Sequence, residues 1–296
     1  MDKKCNKVEE VIQVINSTHN TKYRFVERFG RGEWGAYRIA ETGKKPVVLK
    51  FFLNLSNTNI VDADPILSKK INNRLLSLDY PVPKYIYTGS LNKEGLYWVQ
   101  EELPGKPLWE NPTLEQVKKI LSLLELQKNH AVSPKQNWSD FVKDTIFGHK
   151  TEKKTTLKNH SKETNNFLES IMLLIQGLED LPLPTTDIVH GDFSYHNTMI
   201  KDGKITGIID WQEAGCGDWL IDLARLIYSL HDRPKLTAPI IKKLKKQDIR
   251  RIKLYTVFTV LEMISWPIKF NPQNIENAFN KAKSAVDFVF VKKCRY

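Results

Sequence analysis

The amino-acid sequence predicts an α+β fold in two lobes, a small lobe with an antiparallel sheet over residues 1–103 and a mostly helical lobe over residues 104–296. Strand-like alternation of apolar and charged residues is concentrated in the first hundred residues, whereas apolar residues at helical spacing dominate the remainder. Between the two regions, Leu103–Pro107 (LPGKP) has the proline and glycine content of a linker. We therefore expect the functional residues in a cleft between the lobes.

The composition is that of an ordinary globular protein. Hydrophobic residues make up 41% of the 296 residues and charged residues 27%, which is a usual balance. No apolar run approaches the ~18 residues of a membrane span, and the N-terminal MDKKCNKVEE lacks the apolar core of a signal peptide. The three cysteines form no CxxC pair, so we expect a cytoplasmic protein with no membrane partner.

The net charge of +11 raises the question of a nucleic-acid partner. The densest basic segment, Ile240–Lys253, interleaves Lys and Arg with Ile and Leu at helical spacing, which predicts an amphipathic helix with a solvated basic face. No zinc-finger motif or aromatic stacking pattern accompanies the charge, so no nucleic-acid partner is expected.

The first lobe begins with a short amphipathic helix over Val8–Ile15, followed by strands at Tyr23–Phe29 and Ala36–Ala40. The later strands of this lobe are predicted at Lys84–Thr88 and Gly95–Glu101.

A glycine-rich segment joins the first two strands, with glycines at Gly30, Gly32 and Gly35. A GxGxxG pattern alone is weak. A dinucleotide fold would need a buried strand before it, a helix after it and an acid about 20 residues on, where this chain has Lys50. The pattern therefore favours a strand–loop–strand lid whose backbone amides approach ATP phosphates, with a hairpin that binds no ligand as the alternative.

Lys50 is the single cation in the apolar strand Pro46–Phe52. A buried cation is costly unless an anion meets it, and we expect Lys50 to contact the nucleotide phosphates. The alternative is that it reaches solvent from an edge strand. The second half of the segment 57–78 is predicted to be helical. It offers no well-placed glutamate to hold Lys50, and Asp64 either takes that role or caps the helix.

The second lobe is predicted to be helical apart from one hairpin. A polar connector is expected at Gly148–Asn159, and Trp138, Trp219 and Trp266 are expected in the core. The predicted helices follow from apolar spacing and capping residues: one from Pro112 onward, then Asn137–Phe147, Asn166–Leu178, Trp219–Leu230, Ala238–Lys245, Ile249–Trp266 and Pro272–Val291.

The hairpin lies within the segment HGDFSYHNTMIKDGKITGIIDW, beginning at His190. Asp202-Gly203 is a strong two-residue turn between the strands Thr198–Lys201 and Lys204–Ile209. Pairing about this turn places Asn197 and Asp210 on a cross-strand diagonal at the open end, roughly 7–8 Å apart. Carboxylate and amide oxygens at that distance could share Mg²⁺, so both are predicted metal ligands.

Asp192 precedes the hairpin and completes the spacing His-x-Asp-x-x-x-x-Asn of a kinase catalytic loop. Phosphoryl transfer to a hydroxyl needs a carboxylate that orients the acceptor, and we assign Asp192 this catalytic role. The alternative is a surface hairpin with ordinary capping acids.

The segments PVPKYI, EELPGKPL, VHGDFSYHN and IIDWQEAGCGDWLIDLA resemble the aminoglycoside phosphotransferase family, which is similar to protein kinases and includes choline, homoserine and antibiotic kinases. Phe193 after Asp192 and Trp211 after Asp210 are most similar to its hygromycin-type and uncharacterised bacterial branches. The resemblance implies a protein-kinase-like fold. It also implies that Asp218 and Asp222 are structural acids.

The resemblance further implies ATP and Mg²⁺ as cofactors, with GTP not excluded. The adenine would contact the Glu101 carbonyl and the Leu103 amide, with the Gln100 side chain near the back of its pocket. The acceptor would be a small-molecule hydroxyl. The acids that could face it are Asp140, Glu213, Asp232 and Glu262.

Three functions remain open at this stage. The first is phosphorylation of an aminoglycoside or related antibiotic by a monomer or weak dimer. The second is a kinase of a small metabolite, choline-, homoserine- or sugar-like, and the third is a nucleotide-binding pseudokinase. Aminoglycosides are polycations and need a carboxylate-rich site, yet the last fifty residues hold few acids.

Overall fold

A computed structural model describes residues 3–29, 35–53, 64–91, 95–108 and 112–292. The chain divides into two compact units. The first comprises Met1–Lys106 with Met199–Glu213, and the second comprises Pro107–Thr198 with Ala214–Tyr296. Residues 199–213, which the sequence placed with the helical lobe, thus belong to the same unit as the N-terminal sheet.

Local contacts explain why this segment joins the first unit. The Ile208 amide donates to the Pro81 carbonyl at 2.7 Å, and Thr206 Oγ1 donates to the Pro104 carbonyl at 2.7 Å. A Cβ at Gly207 would lie 2.2 Å from Leu103 Cδ1, so a larger residue there would force the Leu103 side chain to move.

In its described ranges, the first unit contains a five-stranded antiparallel sheet of order β1–β2–β3–β5–β4 and the helices α1 and α2. The apolar side of helix α1 packs on the sheet because Val8, Val11, Ile12 and Ile15 repeat at helical spacing and are all buried. The elements are α1 (Lys3–His19), β1 (Arg24–Phe29), β2 (Ala36–Ala40), β3 (Val47–Leu53), α2 (Pro65–Leu76), β4 (Tyr85–Leu91) and β5 (Gly95–Glu101).

A smaller sheet has the order β6–β8–β9. Its strands are β6 (Lys106–Pro107), β8 (Thr198–Lys201) and β9 (Lys204–Ile208). The predicted turn between the last two is confirmed, since Asp202 and Gly203 have φ values of 50° and 74°, as a type I′ turn requires.

The second unit is mostly helical. Its short strands β7 (Asp187–Val189) and β10 (Gly215–Gly217) pair antiparallel, with Val189 opposite Gly215. The helices are α3 (Leu114–Glu125), α4 (Trp138–Ile146), α5 (Glu152–His160), α6 (Lys162–Leu173), α7 (Leu220–Leu230), α8 (Pro234–Leu244), α9 (Ile249–Phe270) and α10 (Ile275–Asp287).

Three sequence predictions about the helices need correction. The predicted connector Gly148–Asn159 is largely helix α5, whose amphipathic pattern is weak because Leu157 is its one buried side chain. The basic segment Ile240–Lys253 spans the end of α8 and the start of α9, where Asp248 caps α9 by accepting the Arg250 amide at 3.0 Å. Trp266 is 46% exposed and not in the core, unlike Trp138 and Trp219.

None of the helices in the described ranges combines the length and the hydropathy that a membrane span requires.

Candidate functional site

Lys50 of the first unit forms an ion pair with Asp210. The Lys50 side chain is only 15% exposed, and strand β3 is buried on either side of it. The alternative in which Lys50 reaches solvent from an edge strand is therefore wrong, since β3 is paired on both edges, with β2 and β5. The cation predicted to need an anion has one in Asp210.

Asp210 itself has an unusual backbone conformation. Its φ is 73°, in the left-handed region that non-glycine residues seldom adopt. The turn Trp211–Glu213 follows at once and holds this conformation, because Trp211 is fully buried and donates its Nε1–H to the Ile208 carbonyl at 2.9 Å. The ring also packs edge-on against Tyr80. Such a strained backbone at a carboxylate is typical of functional sites.

Asp64 caps helix α2. Its Oδ1 accepts the amides of Ile66 and Leu67 at 2.8 and 3.1 Å. Of the two roles that the sequence left open for Asp64, the structure shows the cap. Lys50 forms an ion pair with Asp210.

The predicted adenine-contacting residues lie at the end of β5. Gln100 is buried, and its Oε1 makes no hydrogen bond within the described ranges. The exposed Glu101 donates its amide to the Lys84 carbonyl at 3.0 Å, and the side chain of Leu103 packs against Gly207. A buried amide oxygen without a partner is costly, and an amino group of a base could satisfy it.

The glycine-rich segment is only partly described. Gly30 and Gly32 lie outside the described residues. Gly35 has a φ of 74°, and a Cβ there would lie 3.1 Å from the Tyr37 hydroxyl and 3.2 Å from Arg28 Nε. Both its conformation and its surroundings thus favour glycine.

In the second unit, the loop after β7 is anchored by the buried carboxylate of Asp222. This group accepts the amides of His190 and Gly191 at 2.8 and 3.1 Å and the Gln127 side-chain amide at 2.8 Å. Gly191 has a φ of 86°, and a Cβ there would lie 2.2 Å from the Trp138 ring. The structure thus places Asp222 beneath the loop as a support, in agreement with its expected structural role.

Asp218, the second acid with an expected structural role, is also buried. Its Oδ2 accepts hydrogen bonds from Arg251 at 2.7 Å and from the Tyr255 hydroxyl at 2.9 Å, while its Oδ1 accepts the amide of Leu220, the first residue of α7, at 3.0 Å.

Asp192 stands at the exposed end of the supported loop. Its side chain is 58% exposed, whereas His190 and Phe193 on either side are buried. The Asp192 amide donates to His190 Nδ1 at 3.3 Å, and Asn197 Nδ2 donates to the Asp192 carbonyl at 2.9 Å. The loop therefore fixes the backbone on both sides of a carboxylate that water can reach.

Arg225 of helix α7 contacts the Asp192 carboxylate. Its Nη1 lies 3.5 Å from Asp192 Oδ1, and its Nη2 pairs with Glu262 on α9. Lys153 Nζ on α5 lies 3.0 Å from the other oxygen of Glu262. These four residues, Lys153, Glu262, Arg225 and Asp192, alternate in charge and are called the charge chain below.

Arg225 and Lys153 were missed from the sequence. For Arg225 a usable pattern existed, since it is the one cation in the apolar helix LIDLARLIYSL, as Lys50 is in its strand. Lys153 gave no such indication, because it lies in the segment predicted to be a connector.

The four predicted acceptor-contacting acids differ in their surroundings. Glu262 is mostly buried and paired in the charge chain. Asp140 is exposed at the start of α4 and accepts from Asn137 Nδ2 at 2.6 Å, and the exposed Asp232 lies 3.8 Å from Arg233 Nε. Glu213 belongs to the first unit and is half-buried. Three of these acids, Asp140, Asp232 and Glu262, thus belong to the second unit, and Glu213 belongs to the first.

The predicted metal ligands are suitable for Mg²⁺ by their chemistry. Asn197 uses its amide nitrogen on the Asp192 carbonyl, which leaves the oxygen of that side chain as the ligand atom, and Asp210 supplies a carboxylate. The described residues contain no cluster of three His, Cys, Asp or Glu side chains that could hold a metal. This is compatible with Mg²⁺, which takes much of its coordination from phosphates and water. Because Asn197 and Asp210 belong to different units, their shared site stays a prediction.

Comparison with known sequences finds two partial relatives. Hygromycin-B 4-O-kinase of Escherichia coli is 23% identical over 166 residues, which cover 50% of this chain and 48% of that protein. Hydroxylysine kinase of Danio rerio is 38% identical over 66 residues, 20% of this chain and 19% of that protein. The matched regions thus span about half the length of the first relative and a fifth of the second.

Solved structures resemble almost the whole chain. A thermostable mutant of aminoglycoside phosphotransferase APH(4)-Ia, in ternary complex with ADP and hygromycin B, has a TM-score of 0.67 at 17% identity, covering 93% of this chain and 97% of that one. Choline kinase LicA from Streptococcus pneumoniae has a TM-score of 0.63 at 16% identity, covering 96% and 99%. These similarities confirm the predicted kinase-like fold, with an antiparallel sheet in one part and helices in the rest.

The profile of the phosphotransferase enzyme family matches residues 26–255, which include Lys50, Asp192, Asn197 and Asp210. The match covers well over half of the sequence and agrees with the resemblance carried by the motifs. The chain belongs to the phosphotransferase enzyme family.

Proposed function

We propose that the chain transfers the γ-phosphate of ATP to a hydroxyl group of a small molecule. The observation that carries this proposal is the exposed carboxylate of Asp192, which stands on a loop held by a fully buried acid. The carboxylate is accessible to an acceptor, its backbone is fixed by hydrogen bonds, and it occupies the Asp position of the His-x-Asp-x-x-x-x-Asn spacing, so a role toward an acceptor is the best account.

In this proposal Asp192 accepts a hydrogen bond from the acceptor hydroxyl, orients its oxygen for in-line attack and receives its proton. Lys50 contacts the nucleotide phosphates, in exchange for its ion pair with Asp210. Gln100, the Glu101 carbonyl and the Leu103 amide contact the adenine, and amides of the glycine-rich segment approach the phosphates.

Asn197 and Asp210 would hold magnesium. When bound, the ion neutralises charge on the phosphates. The chain's own contribution is to fix the two ligands, Asn197 through the Asp192 carbonyl and Asp210 through the buried Trp211 turn.

Two classes of acceptor follow from different observations. The relatives named for hygromycin B favour an aminoglycoside or related antibiotic. The charge chain favours a neutral or zwitterionic hydroxyl compound, because Glu262 is already paired with two cations and adds no uncompensated negative charge for a polycation. We place the neutral or zwitterionic class first, since its support comes from this chain.

A screen of acceptors tests the proposal directly. ADP release would be measured with MgATP and, in parallel, MgGTP, against hygromycin B, choline, homoserine, hydroxylysine and simple sugars. We expect stimulation of ADP release by at least one hydroxyl compound, together with a phosphorylated product detected by mass spectrometry. Tight nucleotide binding with no release of ADP under any condition would instead identify a pseudokinase.

Asp192→Ala separates chemistry from binding. We expect loss of most turnover while MgATP affinity, measured by calorimetry, is unchanged. Asp180→Ala, which removes another exposed aspartate of the same unit, serves as the control and should retain full activity. An Asp192→Ala protein as active as the wild type would exclude the assigned role.

Asp210→Ala tests the metal assignment. We expect the variant to lose the magnesium-dependent part of ATP affinity, seen as equal affinities in calorimetry with Mg²⁺ and with EDTA. An affinity that still rises on addition of Mg²⁺ would place the metal ligands elsewhere.

A further inference from the structure

Arg233 lies beside the catalytic loop. Its guanidinium carbon is 6.0 Å from the centre of the Tyr195 ring, and Tyr195 follows Asp192 by three residues in that loop. Nη1 of Arg233 is buried and makes no hydrogen bond to any residue that the structure describes. Asp232 Oδ1 lies 3.8 Å from Nε, beyond hydrogen-bond distance, and the Asp232 side chain is 58% exposed. A buried donor without an acceptor is costly, so a ligand that brings an anion would stabilise this group.

A second cation, Lys281 of helix α10, lies in the same region. Its Nζ is 5.0 Å from the centre of the Tyr228 ring, and Lys281 forms no ion pair with any of the described residues. Burial lowers the pKa of Lys281 below its ordinary value of 10.5; the charge of Asp232 opposes this effect, and the charge of Arg233 adds to it. Arg233 and Lys281 are therefore close enough to repel each other.

The charges of this region do not balance. Arg233 and Lys281 contribute two positive charges, and the exposed Asp232 contributes one negative charge. His231 is buried, and burial lowers its pKa below the ordinary value of 6.5, so its ring is neutral at pH 7. An anion bound between Arg233 and Lys281 would compensate the excess charge and supply the acceptor that Nη1 of Arg233 lacks.

The position of the two cations relative to Asp192 indicates which molecule would bring the anion. Arg225 Nη1 lies 3.5 Å from Asp192 Oδ1. Tyr228 follows Arg225 by three residues, on the same side of α7 and roughly 5 Å along the helix. The contacts through Tyr195 and through Tyr228 thus both lead from Asp192 to the two cations. A small acceptor with its hydroxyl at Asp192 could reach them with a group several bonds away.

We propose that Arg233 and Lys281 form a subsite for a carboxylate of the acceptor, so that the acceptor carries a carboxylate as well as a hydroxyl, as in a zwitterionic hydroxy amino acid. The planar fork of Arg233 can donate two parallel hydrogen bonds to a carboxylate, and Lys281 acts as a point charge. Asp232 competes with the ligand for Arg233. This inference rests on the proposed phosphotransferase function and names the substrate class of its acceptor site.

The first test compares acceptors that differ in one charged group. Release of ADP from MgATP would give kcat and KM for homoserine and its amide, for 5-hydroxylysine and its amide, and for gluconate and gluconamide. We expect kcat/KM to be about tenfold or more higher for the carboxylate member of at least one pair, through a lower KM for the acceptor. Preference for glucose 6-phosphate over glucose, without preference for any carboxylate, would overturn the assignment.

Arg233→Met and Lys281→Met should each weaken this preference. We expect the KM for the carboxylate acceptor to rise on the order of tenfold, while kcat and the KM for ATP stay within about twofold. The controls are Arg250→Met and Lys283→Met, which remove a more exposed arginine of α9 and a lysine of the same helix as Lys281. Both controls should keep the preference of the wild type.

Asp232→Asn should have an effect of the opposite sign. Removal of the competing carboxylate should lower the KM for the carboxylate acceptor about two- to fivefold and leave the KM for the amide unchanged. A gain in affinity cannot result from misfolding, so this variant tests the subsite even if Arg233→Met fails to fold. A higher KM for the carboxylate acceptor in Asp232→Asn would contradict the subsite.

Calorimetry separates failure of the subsite from failure of the proposed function. Homoserine, 5-hydroxylysine, gluconate and their amides would be titrated into the wild type and the variants with Mg²⁺ and AMP-PNP, so that no turnover is needed. Binding that favours a carboxylate and depends on Arg233, without consumption of ATP with any acceptor, would overturn the function and leave the subsite. Turnover without preference for any carboxylate, or with a preference that survives in both Arg233→Met and Lys281→Met, would overturn the subsite alone. Neither binding nor turnover would overturn both.

Discussion

Asp192 lies in the loop after β7, and Asp222 lies on helix α7 beneath that loop, but the two carboxylates have opposite surroundings. Asp222 is fully buried and accepts three hydrogen bonds from His190, Gly191 and Gln127. Asp192 is largely exposed, and its Oδ1 lies 3.5 Å from Arg225 Nη1. The buried carboxylate with three hydrogen bonds supports the loop backbone, whereas the exposed carboxylate on that backbone is the one proposed to act on an acceptor.

The largest expected effect is on turnover in Asp192→Asn. The amide has the shape of the carboxylate but cannot accept the proton, so we expect turnover to fall on the order of 10²–10⁴-fold. The free energy of unfolding from urea denaturation should change by less than about 0.5 kcal/mol, as for other exposed sites. A large loss of stability in Asp192→Asn would show that Asp192, like Asp222, stabilises the fold.

Gly191→Ala should destabilise the protein strongly. The positive φ costs about 1–3 kcal/mol for a residue with a Cβ, and the contact at 2.2 Å with the Trp138 ring forces that ring to move. We expect a loss of roughly 2–4 kcal/mol in the free energy of unfolding. Gly203→Ala is the matched control, because it has a positive φ but nothing within 4 Å of the added Cβ, and it should cost less.

Asp222→Asn should lower the free energy of unfolding by about 1–3 kcal/mol, because the amide nitrogen cannot accept the hydrogen bonds that the carboxylate accepts. Activity should fall through displacement of the loop, while MgATP affinity remains. Urea denaturation and calorimetry check the two expectations. If Asp222→Asn were as stable as the wild type but inactive, the support role would be contradicted.

The smallest effect concerns pH. Burial raises the pKa of the Asp222 carboxyl above its ordinary value, against the lowering influence of His190 and the hydrogen bonds that it accepts. The folded state therefore binds this proton more tightly than the unfolded chain does. Its contribution to stability is fully present below the unfolded pKa of about 4 and is lost as pH rises through the higher folded pKa.

The stability difference between wild type and Asp222→Asn should accordingly be largest near pH 4 and shrink toward neutral pH, as measured by urea denaturation across that range. A difference that grows as the pH rises would show that folding lowers the pKa of the Asp222 carboxyl instead of raising it.

Local features of the fold were predictable from the sequence. Asp202-Gly203 fixes its hairpin because a type I′ turn needs positive φ at both positions, and β2 and β5 have the predicted bounds. Helix α5 was not predictable, since its one buried side chain gives no periodic pattern. Trp266 was misassigned because an aromatic residue on an apolar helix gives no information about which neighbours cover it.

The candidate site was predictable only where its parts are close in sequence. The spacing of Asp192, Asn197 and Asp210 is carried by one segment, whereas the ion pair of Lys50 with Asp210 joins residues far apart in the chain. The charge chain brings together residues from α5, α7 and α9, and a single sequence gives no pattern for such long-range pairing. Propensity and periodicity describe neighbours along the chain, and packing decides the rest.

Lys153 has a consequence for how new substrate preferences could arise. It cancels one charge of Glu262 from a helix that carries none of the residues assigned to catalysis or nucleotide binding. Replacement of this one lysine by a neutral residue would make the net charge of the charge chain more negative by one. Arg225 and Asp192 would stay in place. We therefore expect this single substitution to favour cationic acceptors over neutral ones.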